Sequence, residues 1–309
     1  MKLLSIDFYF AGNVNKQIND YLIENNCKRL LSQLIDRDNI EYYFKFKVGK
    51  ESRTLFIDSG AFTAWSKGKT IDIDEYISYL NNNIDDITLC ASVDCIPGEL
   101  TRRPTIKELQ ESPVNSWNNY LYMRERIKDK DKLLPVFHIG EDFKYLNKIL
   151  NTKLDGNFIP YIGLGGTVGL TTKVKSDWYN TVFRVIRQSD NPNVKTHAFG
   201  MTSFNLLETY PFTSCDSTSW LMTGANGNIY TKYGIVALSE RAKNKPNHIL
   251  KLNSNVVKDI ECQINNCGFD LQQCIDSYLY RMMVNINYIQ NFVNNYEYKG
   301  TKIYQKRLF

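Results

Sequence analysis

A carboxylate ends a strand-like run in Phe212-Thr213-Ser214-Cys215-Asp216-Ser217-Thr218-Ser219-Trp220, where small polar residues follow Asp216. The segment Leu55-Phe56-Ile57-Asp58-Ser59-Gly60-Ala61-Phe62 repeats this arrangement, and Ala91-Ser92-Val93-Asp94-Cys95-Ile96-Pro97-Gly98 holds a third strand-end Asp. An Asp followed by Ser also begins helices as an N-cap, so one occurrence says little. Three strand-end acids indicate a site built from several strands, and paired carboxylates are what glycosidic-bond chemistry requires.

The composition indicates a globular protein of moderate positive charge. The chain has 309 residues, of which 43% are hydrophobic, and a single barrel of about 250 residues is a common domain size. The net charge of +5 favours a polyanion as partner, but it lies below that of a dedicated nucleic-acid-binding domain. Seven scattered cysteines, the strand-like start Met1–Asp7 and the lack of an apolar stretch of about 18 residues predict a reduced cytoplasmic protein outside the membrane.

Short apolar runs alternate with longer segments of helical period along most of the chain. The predicted strands are Ile6–Ala11, Arg53–Asp58, Thr88–Asp94, Leu133–His138, Phe158–Leu164, Val194–Phe199 and Phe212–Asp216. Continuous apolar strands that alternate with helices favour a parallel sheet covered on both faces. The pattern leaves a doubly wound open sheet and a (β/α) barrel as choices.

The barrel is favoured by the position of the polar and glycine-rich residues. Nearly every predicted strand carries such residues at its carboxyl end, at Asp58, Asp94, His138, Gly163–Gly166, His197–Gly200 and Asp216. A barrel brings all those ends to one mouth, whereas an open sheet concentrates function at one switch point. The sequence therefore predicts an α/β fold built on a (β/α)8 TIM-like barrel.

The region after about residue 240 has a different pattern. Apolar residues at helical spacing predict one long amphipathic helix, through Leu271, Ile275, Tyr278, Leu279, Met282, Ile286 and Ile289. A basic tail, Tyr298–Arg307, follows that helix. We therefore predict a barrel domain over residues 1–240 and a helical C-terminal extension over residues 241–309 that packs on the barrel.

Six segments, in order, resemble motifs of the tRNA-guanine transglycosylase superfamily. They are Asp58-Ser59-Gly60-Ala61-Phe62, the strand-end Asp94, Val136-Phe137-His138-Ile139-Gly140-Glu141-Asp142, Tyr161-Ile162-Gly163-Leu164-Gly165-Gly166, Ala198-Phe199-Gly200-Met201-Thr202 and Ser214-Cys215-Asp216-Ser217. The set, over residues 53–235, is most similar to the DNA-directed, DpdA-like branch of bacteria and phages, whose members insert 7-deazaguanine bases into DNA. For a phage protein the predicted compartment is the host cytoplasm.

The resemblance implies base exchange through a covalent glycosyl-enzyme. Asp216 matches the nucleophile position and would attack C1′ of a nucleotide, with Ser217 or backbone N–H groups donating hydrogen bonds that keep it ionised. Asp58 would move protons for the leaving and incoming bases. Asp94 would accept hydrogen bonds from the N–H edge of the base. Taken alone, Asp58 and Asp94 also fit a turn or a helix N-cap.

Other residues of these motifs would contact the base. Phe62 and Phe199 would stack on its two faces, because aromatic faces suit any purine. Gly165 and Gly166 would let backbone N–H groups approach its carbonyl oxygen or 7-substituent. Taken alone, this glycine-rich turn resembles a phosphate-binding loop, but it lacks the GxGxxG spacing.

Two histidines and four cations complete the candidate site. His138 and His197 stand at strand ends, where a histidine either touches substrate or serves as a structural hydrogen-bond partner. Cations on loops after strand ends would contact phosphates, with a solvated surface charge as the alternative for each. They are Lys67, Lys69, Arg102 and Arg103.

The tRNA enzymes carry a zinc site that this chain does not reproduce. Cys262, Cys267 and Cys274 are spaced more loosely than thiolate ligands in short turns, and His248 precedes them. We predict that these cysteines are small core residues and that the protein holds neither metal nor cofactor. The absence of that motif, with His138 where the tRNA enzymes use Gln, favours DNA over tRNA.

Several functions stay open at this stage. A DNA-guanine transglycosylase is favoured, because a binding-only relative would be free to lose Asp58 and Asp216. The alternatives are a tRNA-guanine transglycosylase, a non-catalytic nucleic-acid-binding subunit, and an unrelated barrel glycosidase or nucleosidase with the same two acids. The sequence does not indicate which 7-deazaguanine is used, or whether a partner protein or a second copy is required.

Overall fold

A nine-stranded parallel sheet forms the centre of the molecule. The computed structural model describes residues 5–45, 54–99 and 101–300. Its strands in chain order are β1 Asp7–Ala11, β2 Lys28–Ser32, β3 Leu55–Asp58, β4 Leu89–Ala91, β5 Leu133–Leu134, β6 Val136–His138, β7 Lys153–Leu154, β8 Asn157–Phe158, β9 Tyr161–Gly165, β10 Lys195–Ala198, β11 Ser214–Ser217, β12 Asn228–Thr231 and β13 Gly234–Ala237. The order across the large sheet is β5-β4-β3-β2-β1-β11-β10-β9-β6. Two small antiparallel pairs, β7 with β8 and β12 with β13, lie apart from it.

The two edges of the large sheet are consecutive in the chain. β5 pairs with β4 and β6 pairs with β9, and only Pro135 separates β5 from β6. Proline has no N–H donor and interrupts the ladder at this point, but its carbonyl oxygen still accepts from Gly163 N at 2.8 Å. The sheet therefore nearly closes on itself, which confirms an α/β fold with a barrel-like parallel sheet.

Each predicted strand overlaps an observed one, although β9 and β11 each extend one residue past the predicted end and Arg53 lies outside the described residues. The prediction missed β2, which begins with Lys28 and Arg29 and so lacks a continuous apolar run. The Arg29 side chain is fully buried, and its guanidinium donates to Asn19 Oδ1 at 2.8 Å and to Gly12 O at 2.7 Å. These bonds offset the cost of burying the charge. No local sequence pattern predicts them.

Helices follow the strands and cover the outside of the sheet. They are α1 Lys16–Glu24, α2 Arg37–Lys45, α3 Ala61–Ser66, α4 Ile73–Asn82, α5 Ile106–Arg126, α6 Phe143–Asn151, α7 Thr172–Gln188, α8 Phe204–Thr209, α9 Ser219–Ala225, α10 Ser254–Asn266, α11 Leu271–Asp276 and α12 Tyr278–Asn294. In α7, Trp178, Val182 and Ile186 are buried at helical spacing. A second, inner core, with Phe56, Leu134 and others, fills the interior of the barrel.

The C-terminal region packs on the barrel through α12. Met282, Ile286 and Ile289 belong to the same buried cluster as the barrel helices. The predicted single long helix is wrong, because the chain breaks at Ser277 into α11 and α12. The Ser277 hydroxyl accepts from Leu279 N at 3.2 Å and caps α12. The greater part of the predicted basic tail, residues 301–307, lies outside the described residues.

Candidate active site

The carboxyl ends of the parallel strands meet at one mouth of the barrel. Asp58 ends β3, Asp216 lies in β11, His138 ends β6, and Asp94 follows β4 by three residues. His138 Nε2 lies 2.8 Å from Asp94 Oδ2. The charges of Asp94 and Asp216 both act on Asp58. The structure thus brings the three sequence-predicted acids into one site.

Asp216 is buried and is held through one of its two oxygens. Oδ1 accepts from Gly200 N at 2.9 Å and lies 3.2 Å from His197 Nε2. Within the described ranges no donor bonds to Oδ2. Of the two kinds of donor expected for Asp216, Ser217 or a backbone N–H, the backbone N–H of Gly200 is the one observed. Among the described residues no hydrogen bond joins Ser217 to Asp216, and the Ser217 hydroxyl accepts from Ser219 N at 2.9 Å.

A buried chain of hydrogen bonds continues behind His197. Its Nδ1 lies 2.5 Å from Ser214 Oγ, and that oxygen lies 2.7 Å from the Tyr161 hydroxyl. One arrangement of protons satisfies every contact: Tyr161 donates to Ser214, Ser214 donates to Nδ1, and Nε2–H donates to Asp216. We call Tyr161, Ser214, His197, Gly200 and Asp216 the Asp216 cluster.

Aromatic rings hold the His197 imidazole in place. The Phe56 and Phe199 rings lie 4.7 and 4.5 Å from it, both edge-on. Such contacts stabilise one ring orientation. A Cβ on Gly163 would lie 2.5 Å from Phe199 Cε2, so the Phe199 ring occupies space that only glycine leaves free. Phe199, predicted to stack on the base, is thus also part of the wall behind His197.

A second cluster lies on the other strands of the mouth. His138 Nε2 contacts Asp94 at 2.8 Å and its Nδ1 contacts Glu141 Oε1 at 3.2 Å. Burial lowers the pKa of His138, but the two carboxylates outweigh burial and raise it to about 10. At neutral pH this histidine is an imidazolium between two carboxylates, and both of its ring nitrogens are engaged. We call Asp94, His138 and Glu141 the Asp94 cluster.

The carboxyl group of Asp58 is affected by the charges of both clusters, through Asp94 and Asp216. Burial and, next, the charge of Asp94 raise its pKa to about 7, although the Gly60 N–H donates to Oδ2 at 3.0 Å and opposes the rise. Gly60 has a φ of +80°, and a Cβ there would lie 2.6 Å from Ser32 Oγ. The segment therefore forms the tight turn that the sequence allowed, and it also presents a carboxyl group that titrates near neutral pH.

The His138 ring leaves no room for a side chain at Gly165. A Cβ at Gly165 would lie 2.8 Å from His138 Cδ2, so the small residue makes room for the imidazolium. Gly166 has a φ of +78°, which favours glycine whatever lies nearby. Neither observation tests the predicted approach of their N–H groups to a base.

The cations predicted to contact phosphate and the predicted stacking residue Phe62 lie at the surface. Phe62 is 67% exposed and leans on Trp65, with ring centroids 5.7 Å apart. Arg102 is not a free cation, because its guanidinium pairs with Glu108 at 2.5 Å and Glu99 at 3.2 Å; its contact with phosphate stays a prediction. The other three predicted cations, Lys67, Lys69 and Arg103, are exposed and have no ion pair to the described residues.

The C-terminal cysteines do not fit the zinc site of the tRNA enzymes. Cys262 is exposed, Cys274 is buried among apolar side chains, and Cys267 donates to Gln263 O at 3.3 Å. Over residues 5–45, 54–99 and 101–300, no three His, Cys, Asp or Glu side chains come together as a metal site. That the protein holds no metal stays a prediction.

Sequence reasoning missed four residues of the site: Phe56, Glu141, Tyr161 and Ser214. Three of them could have been found from strand periodicity, because residues two apart point to the same face of a strand. Ser214 precedes Asp216 by two and Phe56 precedes Asp58 by two. Tyr161 begins a similar series with Gly163 and Gly165. Glu141 lies in a turn after β6, and no periodicity points to it.

No protein-family model and no curated protein matches this chain. The resemblance to the transglycosylase superfamily therefore stays a prediction based on the six ordered motifs. In the part of the chain that the structure describes, no helix has the length and apolar character to cross a bilayer.

Proposed function

We propose that this protein is a base-exchange transglycosylase that replaces guanine in DNA with a 7-deazaguanine base. The observation that carries the proposal is the pair of acids at one mouth in unlike settings. Asp216 is held by hydrogen bonds through one oxygen, whereas Asp58 has a pKa of about 7. A nucleophile and a proton carrier differ in this way in glycosidic chemistry.

Asp216 acts as the nucleophile in this proposal. Gly200 and His197 hold Oδ1, so Oδ2 is the oxygen that attacks C1′ of the target nucleotide. The new Oδ2–C1′ bond replaces the bond from C1′ to guanine N9, and the bonding electron pair leaves with guanine. Covalent catalysis of this kind divides one difficult displacement into two easier ones.

Asp58 carries the proton in both halves of the exchange. Its protonated form donates to the leaving guanine, and the resulting carboxylate takes the N9 proton of the incoming 7-deazaguanine. That base then attacks C1′ and displaces Asp216. A pKa of about 7 suits both tasks at neutral pH, because a group near half-protonation exchanges protons most readily.

Asp94 recognises the base through its remaining oxygen. His138 holds Asp94 Oδ2 at 2.8 Å, which leaves Oδ1 to accept from the N–H edge of guanine or its replacement. Phe62 and Phe199 supply aromatic surface for the two faces of the base. His138 thereby acts as a positioning residue for Asp94, with Glu141 as its second partner.

The strand count of the large sheet also supports the resemblance to the transglycosylase superfamily. Residues 133–138, counted as one strand interrupted by Pro135, give the large sheet eight strands, as in a (β/α)8 barrel. DNA is the preferred substrate, because the cysteines do not reproduce the zinc motif of the tRNA enzymes. Lys67, Lys69 and Arg103, which are exposed on loops after strand ends, would contact its phosphates. A target base would turn out of the duplex to reach Asp216, at a cost of a few kcal/mol that stacking and phosphate contacts offset.

The test is exchange of radiolabelled guanine, or of a 7-deazaguanine base, into duplex DNA and into transcribed tRNA in parallel. We expect label in DNA and a covalent protein–DNA adduct, both lost in Asp216→Asn. Asp190→Asn is the matched control, because Asp190 is exposed and precedes β10 at the opposite end of the barrel. Label in tRNA alone would establish the tRNA-directed alternative. Release of free base without incorporation would indicate a nucleosidase. Absence of both incorporation and base release would indicate a binding subunit.

A further inference from the structure

A strongly basic segment, residues 240–251, follows β13 in the C-terminal region. We call it the basic loop. It contains four exposed cations, Arg241, Lys243, Lys245 and Lys251, and a single acid, Glu240. Its net charge is 4 − 1 = +3, against +5 for the whole chain. The loop therefore carries a local excess of positive charge.

The basic loop is held in a defined shape. Asn247 O accepts from Ala237 N at 3.0 Å, and His248 forms a parallel bridge with Ala237 at the end of β13. His248 and Ile249 are buried, and the Ile249 side chain packs in the C-terminal core. The loop is thus anchored as an added edge beside the β12–β13 pair, so its cations are positioned by the fold.

One contact joins the two ends of the cationic run. Lys251 Nζ donates to Asn244 O at 2.8 Å, and Asn244 is the residue between Lys243 and Lys245. Over the described ranges, Glu240 pairs with Lys243 alone, at 3.4 Å. Among the described residues, Arg241, Lys245 and Lys251 have no ion pair. Like charges held together repel one another, and a polyanion relieves that repulsion while it releases its own counterions.

The position of the loop connects it to the mouth. Tyr230 of β12 shares a hydrogen bond of 2.6 Å with Ser219, which follows Asp216 by three residues. β12 pairs with β13, and the basic loop lies on the far side of β13. Neighbouring strands are about 5 Å apart. A strand of DNA with one nucleotide at Asp216 would therefore pass within reach of this surface.

We propose that the basic loop binds the phosphodiester backbone of duplex DNA that flanks the target nucleotide. The choice of DNA rests on the proposed function, whereas the choice of a polyanion rests on the charge and its geometry alone. The loop would supply affinity and register without reading the base sequence.

The test compares two charge-matched double variants of the full chain by fluorescence anisotropy on a labelled duplex over a salt series. Arg241→Gln/Lys245→Gln removes two exposed cations of the loop that have no ion pair to the described residues. Lys128→Gln/Lys195→Gln removes two exposed cations at the opposite end of the barrel, where Lys128 precedes β5 and Lys195 begins β10. We expect the loop variant to reduce the slope of log affinity against log salt by about two, and the control to leave it unchanged.

Three outcomes would overturn the proposal: equal slopes for both variants, a loop effect on tRNA but not on the duplex, and a loop effect on anionic phosphatidylserine vesicles without one on DNA. Because binding is measured without turnover, failure here is distinct from failure of the exchange reaction. A loop variant that binds weakly while wild type shows no exchange would retain this proposal and remove the proposed function.

Discussion

The Asp216 cluster and the Asp94 cluster both place a histidine against a carboxylate at the same mouth, yet they differ in what lies behind the imidazole. His197 contacts the neutral hydroxyl of Ser214, whereas His138 contacts a second carboxylate, Glu141. The first arrangement directs one N–H at Asp216. The second traps a full positive charge, because two anions raise the pKa of His138 to about 10.

This difference explains how one mouth supports two kinds of acid. The Nε2 contact of His197 and the Gly200 N–H orient Asp216 through one oxygen and leave the other free, which suits a nucleophile. The imidazolium commits one oxygen of Asp94 to an ion pair, and the negative charge of Asp94 raises the pKa of the buried Asp58. In the proposed mechanism the role of each aspartate follows from the partners of its histidine neighbour or from nearby charges, although all three occupy similar positions at strand ends.

The largest expected effect comes from removing the nucleophile. In Asp216→Asn the amide oxygen still accepts from Gly200 and His197, so the fold and melting temperature should hold, but an amide does not displace a base. Exchange and adduct formation should fall by at least about 1,000-fold. Denaturing gels of protein–DNA mixtures and label incorporation measure both. More than trace activity would show that another carboxylate of the mouth is the nucleophile.

Removing the proton carrier should have a smaller effect with a distinct pH signature. In the wild type, adduct formation requires protonated Asp58 and should slow as pH rises through about 7, whereas transfer to the incoming base requires the carboxylate and should accelerate over the same range. Asp58→Asn should lower both rates by about 100- to 10,000-fold and remove these opposed pH dependences. Single-turnover rates from pH 5 to 9 provide the measurement.

The same variant yields a stability test. The folded pKa of Asp58, about 7, exceeds the ordinary value of about 3.9, so the wild type loses stability as pH rises between these values. Asp58→Asn should therefore raise the melting temperature by an amount that grows from about pH 4 to pH 7 and then stays constant. A pH-independent difference would show that the carboxyl titrates normally and that the two clusters do not act on it.

A change behind His197 should have a still smaller effect. Ser214→Ala removes the partner of Nδ1 and should slow adduct formation by about 5- to 10-fold, as expected for one lost hydrogen bond. The specific readout is ¹⁵N NMR of the imidazole: the wild type should show the Nε2–H tautomer, and the variant a mixture. If both proteins show the same tautomer, the hydroxyl serves packing only. Tyr161→Phe is the milder companion change, since Ser214 keeps its contact with His197.

Chelation should have no effect. The cysteine geometry does not fit a zinc site, so overnight treatment with EDTA should leave the melting temperature and exchange rate unchanged, and elemental analysis should find less than stoichiometric zinc. One zinc per chain would contradict the prediction that the protein holds no metal.

Strand-end polarity was sufficient to predict the barrel-like sheet and its mouth, because the alternation of apolar runs and helical segments is a local property of the chain. It did not predict β2, whose buried Arg29 is satisfied by residues distant in sequence. It also failed at Ser277, where a single hydroxyl divides the predicted helix into α11 and α12.

Residue type and strand-end position along the chain already place three aspartates, two histidines and the glycines between them at the mouth. Their hydrogen bonds and pKa values depend on the fold, because most of their partners come from other strands. Closure of the sheet brings Asp94 against His138, and the pairing of β10 with β11 sets Ser214 against His197. Charge interactions act through space, and the fold sets those distances.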